Sequence, residues 1–483
     1  MMTTSASHPA FSKLIPLLVE LFTKWSNDLS HLPRDSSSFL FQEHFDHFFS
    51  DEERFFLGSQ LADSLLSFSM DHHLPFLYYA SPIAEYGNEV IEETWAFGFH
   101  SNPAFAWDDI QQFTERLWRQ NPDFQLFLHL PFPTSEDLHH PQYQFRSSLW
   151  SSFQPYRFNF PSFIIKRKNH DLHCQFQWIE SSLLSALEIF QIHSPFFNSH
   201  QSVKKQSLVR FESPQWVPST ERWLSKEKDL RSFFQEPDDK VVLSRSLILN
   251  KASSLSAAEY LLSRLKTLQS SSIPPHCTVY AFVVSEEDAF LSFSPEKLFF
   301  RLQQQLWIDC LAGTQKTLQQ DLFTSSKDRL EHRIVHDFIQ SQLQQKCLNF
   351  QWHPLRLMTL HHLQHLYTLF EGTLLNTTPH WDLIKTLHPT PALGGAPKDR
   401  ALKSISSWEN WERGLFGGII GLLNGHEAQT LVGIRSGLFR QSKLHLFAGA
   451  GIVASSDWSE EWKEMERKIL FFLGLLGVPY ESQ

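Results

Sequence analysis

Hydrophobic patterning divides this 483-residue chain into a strand-rich first part and a second part where strands and helices alternate. In the first 200 residues, Leu126-Phe127-Leu128-His129-Leu130 and Phe163-Ile164-Ile165 are short apolar runs bounded by Pro, Asn and Asp, which predicts strands. Residues 14–22 are apolar but interrupted by Pro16 and Glu20, which predicts an amphipathic helix. Ser, Asn, Gln and Pro dominate positions 196–218, which predicts a loop. A helix is expected over about 220–234, apolar at Trp223, Leu230, Phe233 and Phe234 and stopped by Pro237-Asp238-Asp239. Lys240-Val241-Val242-Leu243-Ser244-Arg245 then reads as a strand with a lysine at its mouth. Further on come a helix at 257–268, strands at 279–284 and 289–293 joined by Glu286-Glu287-Asp288, and a strong helix at 326–343. Residues 358–374 alternate around His365, Tyr367 and Leu369 and predict extended chain. The chain closes with a strand carrying Arg435, a small-residue loop at Ala448-Gly449-Ala450-Gly451 and a final helix. Antiparallel strands with helices between them predict an α+β fold.

Composition narrows the function classes. Hydrophobic residues make up 42% and aromatics 14%, the profile of a packed globular protein, and the 44 phenylalanines read as core filler. Length alone permits one large domain or several smaller ones. A net charge of -10 lacks the basic footprint of nucleic-acid binding. Cys174, Cys277, Cys310 and Cys347 form no C-x-x-C pair, which points to a reduced, cytoplasmic setting. No small-residue cleavage site follows residue 22, and the apolar run at 469–478 falls far below the roughly 20 residues a membrane helix needs, so neither signal peptide nor membrane span is expected.

Several clusters carry possible chemistry. The stretch 448–454 fits G-x-G-x-x-A, but no second parallel strand with an acidic end follows, so dinucleotide binding is set aside. Its small residues instead let backbone N–H groups approach a carboxylate. His361, His362 and His365 hint at a metal, yet extended chain puts His361 and His365 two pleats apart, which excludes a zincin arrangement. Glu461 and Glu464 lie one helical turn apart with Lys468 a turn further, and Glu331 sits in Lys327-Asp328-Arg329-Leu330-Glu331-His332. Each cluster alone reads as a solvated helix face; together, carboxylates from two helices suit Mg2+, which needs only one or two of them plus substrate oxygen and water. Lys240 is either an edge lysine or, in a dry pocket, a base. Glu296, after Ser294-Pro295, is either a turn acid or a proton donor. A base and an acid on opposite faces of a ring would suit addition–elimination with water.

Eight motifs now fall in one order: KVVLSR from Lys240, SPEKL from Ser294, LAGT from Leu311, SKDRLEH from Ser326, HLYTLFEG from His365, LHPTPALGG from Leu387, GIRSG from Gly433, and LFAGAGIV with EEWKEMERK to the end. In these the chain resembles the chorismate-utilising enzymes, which include anthranilate synthase large subunits and aminodeoxychorismate, salicylate and isochorismate synthases. The resemblance covers roughly residues 220–475 and implies a large sandwich of two antiparallel sheets with helices outside and the active site between the sheets. Residues 1–200 would form the weakly matched N-terminal part and residues 201–483 the chorismate-binding region of one integrated domain.

The resemblance also implies roles. Anthranilate synthases lack the lysine that here is Lys240, and aminodeoxychorismate synthases carry a nucleophilic lysine where this chain has Ala312. The pattern resembles the water-using branch, isochorismate and salicylate synthases. Lys240 would then deprotonate water for attack at ring C2, and Glu296 would protonate the leaving C4 hydroxyl. Mg2+ would bind the ring carboxylate through Glu331 and Glu464, with Glu461 behind them through water. Arg435 and the backbone of Gly449 and Ala450 would hold a carboxylate, and Thr314, His365 and Lys468 would contact substrate. Leu393 and Phe416 match apolar pocket positions; salicylate synthases tend to have tyrosine at the latter, so phenylalanine favours stopping at isochorismate. Departures from the family pattern occur at Gln315-Lys316-Thr317, where many relatives have Arg-Pro-Arg, and at the Asp309-Cys310 pair. No glutamine amidotransferase partner is expected. The alternatives are a salicylate synthase and a chorismate-binding protein without turnover; menaquinone, siderophore and salicylate routes all stay open.

Overall fold

The computed structural model describes residues 38–44, 75–85, 88–100, 107–137, 143–168, 171–179, 211–251, 256–261, 264, 276–316, 322–360, 363–375 and 378–478. The predicted helix at 14–22, positions 196–210 of the predicted loop, and His361 and His362 lie outside them. Strands in the first half are β1 (Ser38–His44), β2 (Phe76–Glu85), β3 (Asn88–His100), β4 (Leu126–Leu130), β5 (Phe158–Lys168), β6 (Asp171–Ile179), β7 (Phe211–Val217), β8 (Lys240–Lys251), β9 (Thr278–Val283) and β10 (Asp288–Ser294). The second half adds β11 (Lys297–Leu302), β12 (Gln305–Lys316), β13 (Cys347–Trp352), β14 (Arg356–Leu360), β15 (Leu363–Leu374), β16 (Gly395–Ala396), β17 (Ile419–Leu423), β18 (Glu427–Val432), β19 (Ser436–Arg440) and β20 (Lys443–Val453). Among the described residues the α-helices are α1 (Trp107–Gln120), α2 (Thr220–Ser225), α3 (Glu227–Leu230), α4 (Ser326–Leu343), α5 (His380–Leu387), α6 (Lys398–Trp408) and α7 (Trp458–Leu476), and residues 257–261 of the helix expected at 257–268 are helical as well.

Two antiparallel sheets result. The first runs β1-β6-β5-β3-β2-β9-β10-β19-β20-β8, with β7 and β16 on the far side of β8. The second runs β4-β17-β18-β11-β12-β15, with β13 and β14 on the far side of β15. β4 also pairs with the start of β5, which joins the layers at one edge. Strand β9 is buried along its whole length because both faces are covered. Its alternate residues go to different cores: Val279, Ala281 and Val283 to one, Tyr280 and Phe282 to a second, aromatic-rich core with Phe127, Phe290, Phe416 and Phe447. Many of the phenylalanines are core residues, as expected.

Two adjacent segments carry the chain from one sheet to the other. Pro295-Glu296 links β10 to β11, and Gly433-Ile434-Arg435 links β18 back to β19. They are tied together: Val432 N–H donates to Glu296 C=O at 3.1 Å and Phe293 N–H to Arg435 C=O at 3.0 Å. The Ser292 and Ser294 hydroxyls donate to the Ile434 and Val432 carbonyls, each at 2.7 Å. Arg435 therefore sits in a connection, with a left-handed φ of 48°, and not on the strand expected for it.

The two helices that matter for the site have clear local causes. Ser325 caps α4, its hydroxyl accepting from Asp328 N–H. Asp457 caps α7 through Ser459 and Glu460 N–H, and Gly477, at φ 67°, closes it in the left-handed conformation. The buried stripe of α7 holds Glu461, Met465, Ile469, Phe472 and Leu476, so one carboxylate lies on an otherwise apolar face. Helix α4 packs on β12 and β15 of the second sheet, whereas α7 packs on β20 and β8 of the first.

Four expectations need correction. Residues 211–217 are strand β7, a mostly exposed strand beside β8 whose polar sequence lacks the alternation of a half-buried strand. The single helix at 220–234 is α2, α3 and a 3-10 turn, Arg231–Phe233. Residues 358–374 are split between β14 and β15. Ala448-Gly449-Ala450-Gly451 is not a loop; it lies inside β20, paired with β8 from Arg245 to Val242.

Candidate active site

A cleft of about 910 Å³, including its open mouth, lies where the ends of β8 and β20 meet the two inter-sheet connections. Its lining includes Lys240, Glu296, Thr314, Glu331, His365, Leu393, Phe416, Arg435, Gly449, Glu464 and Lys468. Eleven of the thirteen residues singled out from sequence thus converge on one cleft. Glu461 and Ala450 are not part of its wall.

Lys240 opens β8 and is only 1% exposed. Its Nζ lies 3.1 Å from Glu331 Oε2. Gly451 explains how the pair fits: a Cβ there would come within 2.6 Å of Glu331 Oε2 and 2.7 Å of Lys240 Cε. Any side chain at 451 would occupy the space of the ion pair. Because β20 is a strand, Gly449 and Gly451 share the cleft side, and the Ala450 methyl points into the core on the other side. Gly313 does similar work on the opposite wall. With φ 78°, it lets β12 bulge past the first turn of α4, where a Cβ would sit 2.9 Å from Asp328 Cβ. Asp328 Oδ1 then accepts from Thr314 N–H at 3.1 Å.

Glu296 is 5% exposed. Burial, helped by the nearby Asp309 carboxylate, pushes its carboxyl up to about 8, against the pull of Lys240, Arg435 and Lys468. It is therefore a protonated acid at neutral pH. Asp309 is held by Lys297 N–H at 3.1 Å and Tyr367 OH at 2.9 Å. The Asp309-Cys310 pair thus divides its duties: Asp309 acts electrostatically on Glu296, while the Cys310 thiol packs against His332 on α4.

Arg435 is 8% exposed; burial lowers its pKa, and its guanidinium lies 5.9 Å from the Phe471 ring centroid. No acceptor is bonded to that guanidinium among the described residues. The fork is free for a carboxylate. His365 Nδ1 pairs with Thr314 Oγ1 at 2.9 Å, and its Nε2 is buried with no partner. Burial drives the His365 pKa down to about 3, with Arg435 and Lys468 adding to the effect. A neutral imidazole with one open nitrogen faces the cleft.

The acidic groups come as a set. Glu464 Oε1 is 2.6 Å from Lys468 Nζ, which also donates to Gly449 C=O at 2.8 Å. Burial works to raise Glu464, but Lys468, Lys327 and Arg467 outweigh it and hold the carboxylate below its ordinary range. Glu461 goes the other way, raised by burial and by Glu464. Lys327 makes a close ion pair with Glu461 and stands 3.6 Å from Glu331. Lys327, expected on a solvated face, is a half-buried link between α4 and α7. The other unforeseen residue is Arg413. It is bidentate with Glu409 at 2.5 and 2.7 Å and donates to the carbonyls of Val242 and Leu393 at 2.7 and 3.0 Å. Its ring contacts are Phe132 and Phe416.

These acids fit a divalent cation. Glu461 Oε2 is a buried oxygen with no partner, and Glu331, Glu461 and Glu464 are close enough to act on one another electrostatically. Among the described residues no three His, Cys, Asp or Glu side chains are grouped so as to hold a metal ion by themselves. Mg2+ does not need one, since it keeps waters and substrate oxygens in its shell. The chemistry of the donor set, all carboxylate oxygen, suits that ion.

A two-sheet sandwich with a buried lysine, a buried glutamic acid and a free guanidinium lining one cleft defines a class. Residues 107–477 match the family model described as chorismate binding enzyme, and the chain belongs to that family. Among curated proteins, it is 34% identical over 204 residues to the chloroplastic isochorismate synthase of Catharanthus roseus, 40% of this chain and 35% of the relative. It is 30% identical over 311 residues to isochorismate synthase MenF of Bacillus subtilis, 61% of this chain and 63% of the relative. The matched segment spans about a third of the plant relative's length and under two thirds of the bacterial one. The fold matches that of MenF, the menaquinone-specific isochorismate synthase from Escherichia coli, with TM-score 0.73 and 22% identity over 95% of this chain and 99% of that one. Anthranilate synthase component I from Streptococcus pneumoniae shares the architecture at TM-score 0.54, 16% identity and 84% and 92% coverage. Among the described residues no helix is long and apolar enough to cross a membrane.

Proposed function

We propose that this chain is an Mg2+-dependent isochorismate synthase acting on chorismate. The observation that carries the reading is a buried lysine and a protonated buried glutamic acid lining one cleft with paired carboxylates and a free guanidinium.

In this mechanism Lys240 takes a proton from water as its oxygen bonds to ring C2. The ring double bond shifts and the C4–O bond breaks. Glu296 gives its proton to the departing oxygen, so one water enters and one leaves and the net change is isomerisation. Arg435 holds a substrate carboxylate through its fork. His365 and Thr314 offer neutral hydrogen bonds, and Leu393 and Phe416 shape the apolar wall. Glu331 and Glu464 would hold Mg2+, with Glu461 behind them through water. When bound, the ion supplies positive charge that fixes the ring carboxylate.

Phe416 offers only hydrocarbon and no hydroxyl to organise pyruvate loss, which supports stopping at isochorismate. The test is purified protein with chorismate and Mg2+, products separated chromatographically. Accumulating isochorismate supports the reading; salicylate with pyruvate would make the chain a salicylate synthase, and binding without product a non-catalytic binder.

A further inference from the structure

A second, smaller cleft, of about 460 Å³ including its open mouth, lies on the other side of the Glu409–Arg413 pair from the main cleft. Four tryptophans line it: Trp223, Trp408, Trp411 and Trp458. Trp223 and Trp458 rings stand 4.8 Å apart, and the Trp223 indole N–H is used on the Trp458 carbonyl. The Trp411 indole is different. Its Nε1 is buried and has no hydrogen-bond partner. Ser244, 2% exposed and also lining the cavity, has an unpartnered hydroxyl as well. Two residues with unpartnered buried donors thus line one aromatic cavity, and buried donors are normally satisfied. An acceptor is called for.

The charges at the mouth say what kind. Arg222 is exposed at the rim, its guanidinium donating in part to the Asn410 amide oxygen, and Lys226 lies over the Trp408 ring with Nζ 5.2 Å from its centroid. Lys226 spends one of its three N–H donors on the Trp408 carbonyl. The acid of this wall, Glu409, is fully engaged by Arg413 and by Ser244 N–H at 2.8 Å. Cations are thus available and the nearby carboxylate is not. Indole walls favour a flat apolar body, and the cations and donors favour an acid group.

We infer that this cavity binds a small aromatic carboxylate, its ring between the tryptophans and its carboxylate among Ser244, Trp411 and the Arg222–Lys226 rim. The site is separate from the main cleft but shares a wall with it. Glu409 holds Ser244 N–H on one side, and through Arg413 it holds the Val242 and Leu393 carbonyls on the other. The inference goes beyond the proposed reaction and needs no chorismate to test.

Benzoate serves as the probe, with benzyl alcohol as its uncharged counterpart, in a ligand-observed NMR titration of the full chain. Saturable benzoate binding in the millimolar range is expected, the scale so small a ligand supports, with benzyl alcohol about tenfold weaker. Trp411→Phe keeps the ring and removes the donor; it and Ser244→Ala should each weaken benzoate about fivefold or more. Arg222→Gln, an exposed change that should leave the fold intact, should weaken it about threefold. Circular dichroism confirms that each variant is folded. Absence of saturation to about 20 mM, far above that range, would overturn the inference. So would binding indifferent to all three variants, or binding lost in Arg435→Gln and kept in Ser244→Ala, which would place the probe in the main cleft.

Discussion

At the scale of single residues, Glu296 carries the clearest pH signature. Its raised pKa means that it keeps its proton up to about pH 8 and loses it above. If it is the acid, kcat should fall as pH rises through that value, because the ionised form has no proton to give. Glu296→Gln should lower kcat by about 10²- to 10⁴-fold and remove that alkaline limb, with substrate affinity largely kept. Steady-state rates across pH 6–10 check both. Lys240→Ala should abolish water addition while leaving Mg2+-dependent chorismate binding. Turnover retained in that variant would take the role of base from Lys240. Gly451 shows how a residue with no side chain still shapes chemistry, since the volume it vacates is filled by the Lys240–Glu331 pair.

At the scale of elements, what could be read from sequence depended on how local its cause was. Helix α4 was legible from end to end because its cap, Ser325, and its apolar period lie within the segment itself. Ser325→Ala should destabilise the protein by about 1 kcal/mol, read as a lower denaturation midpoint with unchanged slope. Strand β20 was misread because Ala and Gly are poor strand formers in isolation. Pairing with β8 and close approach to Lys240 decide its conformation, and neither is local. A loop has no period; a strand sorts Gly449 and Gly451 to the cleft and the Ala450 methyl to the core, which leaves only the backbone of Ala450 for the role expected of it. Charged residues on helices were legible as candidates, but which face is buried was not, so Lys327 passed for a surface lysine. Arg413 was missed because its i,i+4 spacing from Glu409 looks like any surface pair, and its bonds to the Val242 and Leu393 carbonyls leave no trace in a side-chain pattern.

At the scale of the whole molecule, the carboxylates expected to hold a cation belong to different layers. Glu331 rides on α4, packed on the second sheet, and Glu464 on α7, packed on the first. Binding Mg2+ should therefore stabilise the fold as a whole. At a hundred times its dissociation constant the gain is about 2.7 kcal/mol, visible as a melting temperature that rises with Mg2+ and falls back with EDTA. Glu464→Ala should flatten that response and raise the Mg2+ concentration needed for turnover; an unchanged titration would move the metal elsewhere.

The corner formed by Pro295-Glu296 and Gly433-Ile434-Arg435 behaves differently from those helices. Its two threads are laced to each other by backbone and serine hydrogen bonds, and each is rooted in both layers. Proton donor and guanidinium therefore move as one jaw, however the layers breathe. The opposing jaw is assembled from parts on different layers, joined by the Lys327–Glu461 and Lys240–Glu331 ion pairs. A drop in the cation supply would leave the first jaw set and slacken only the second, so the enzyme would lose its grip before it lost its bite.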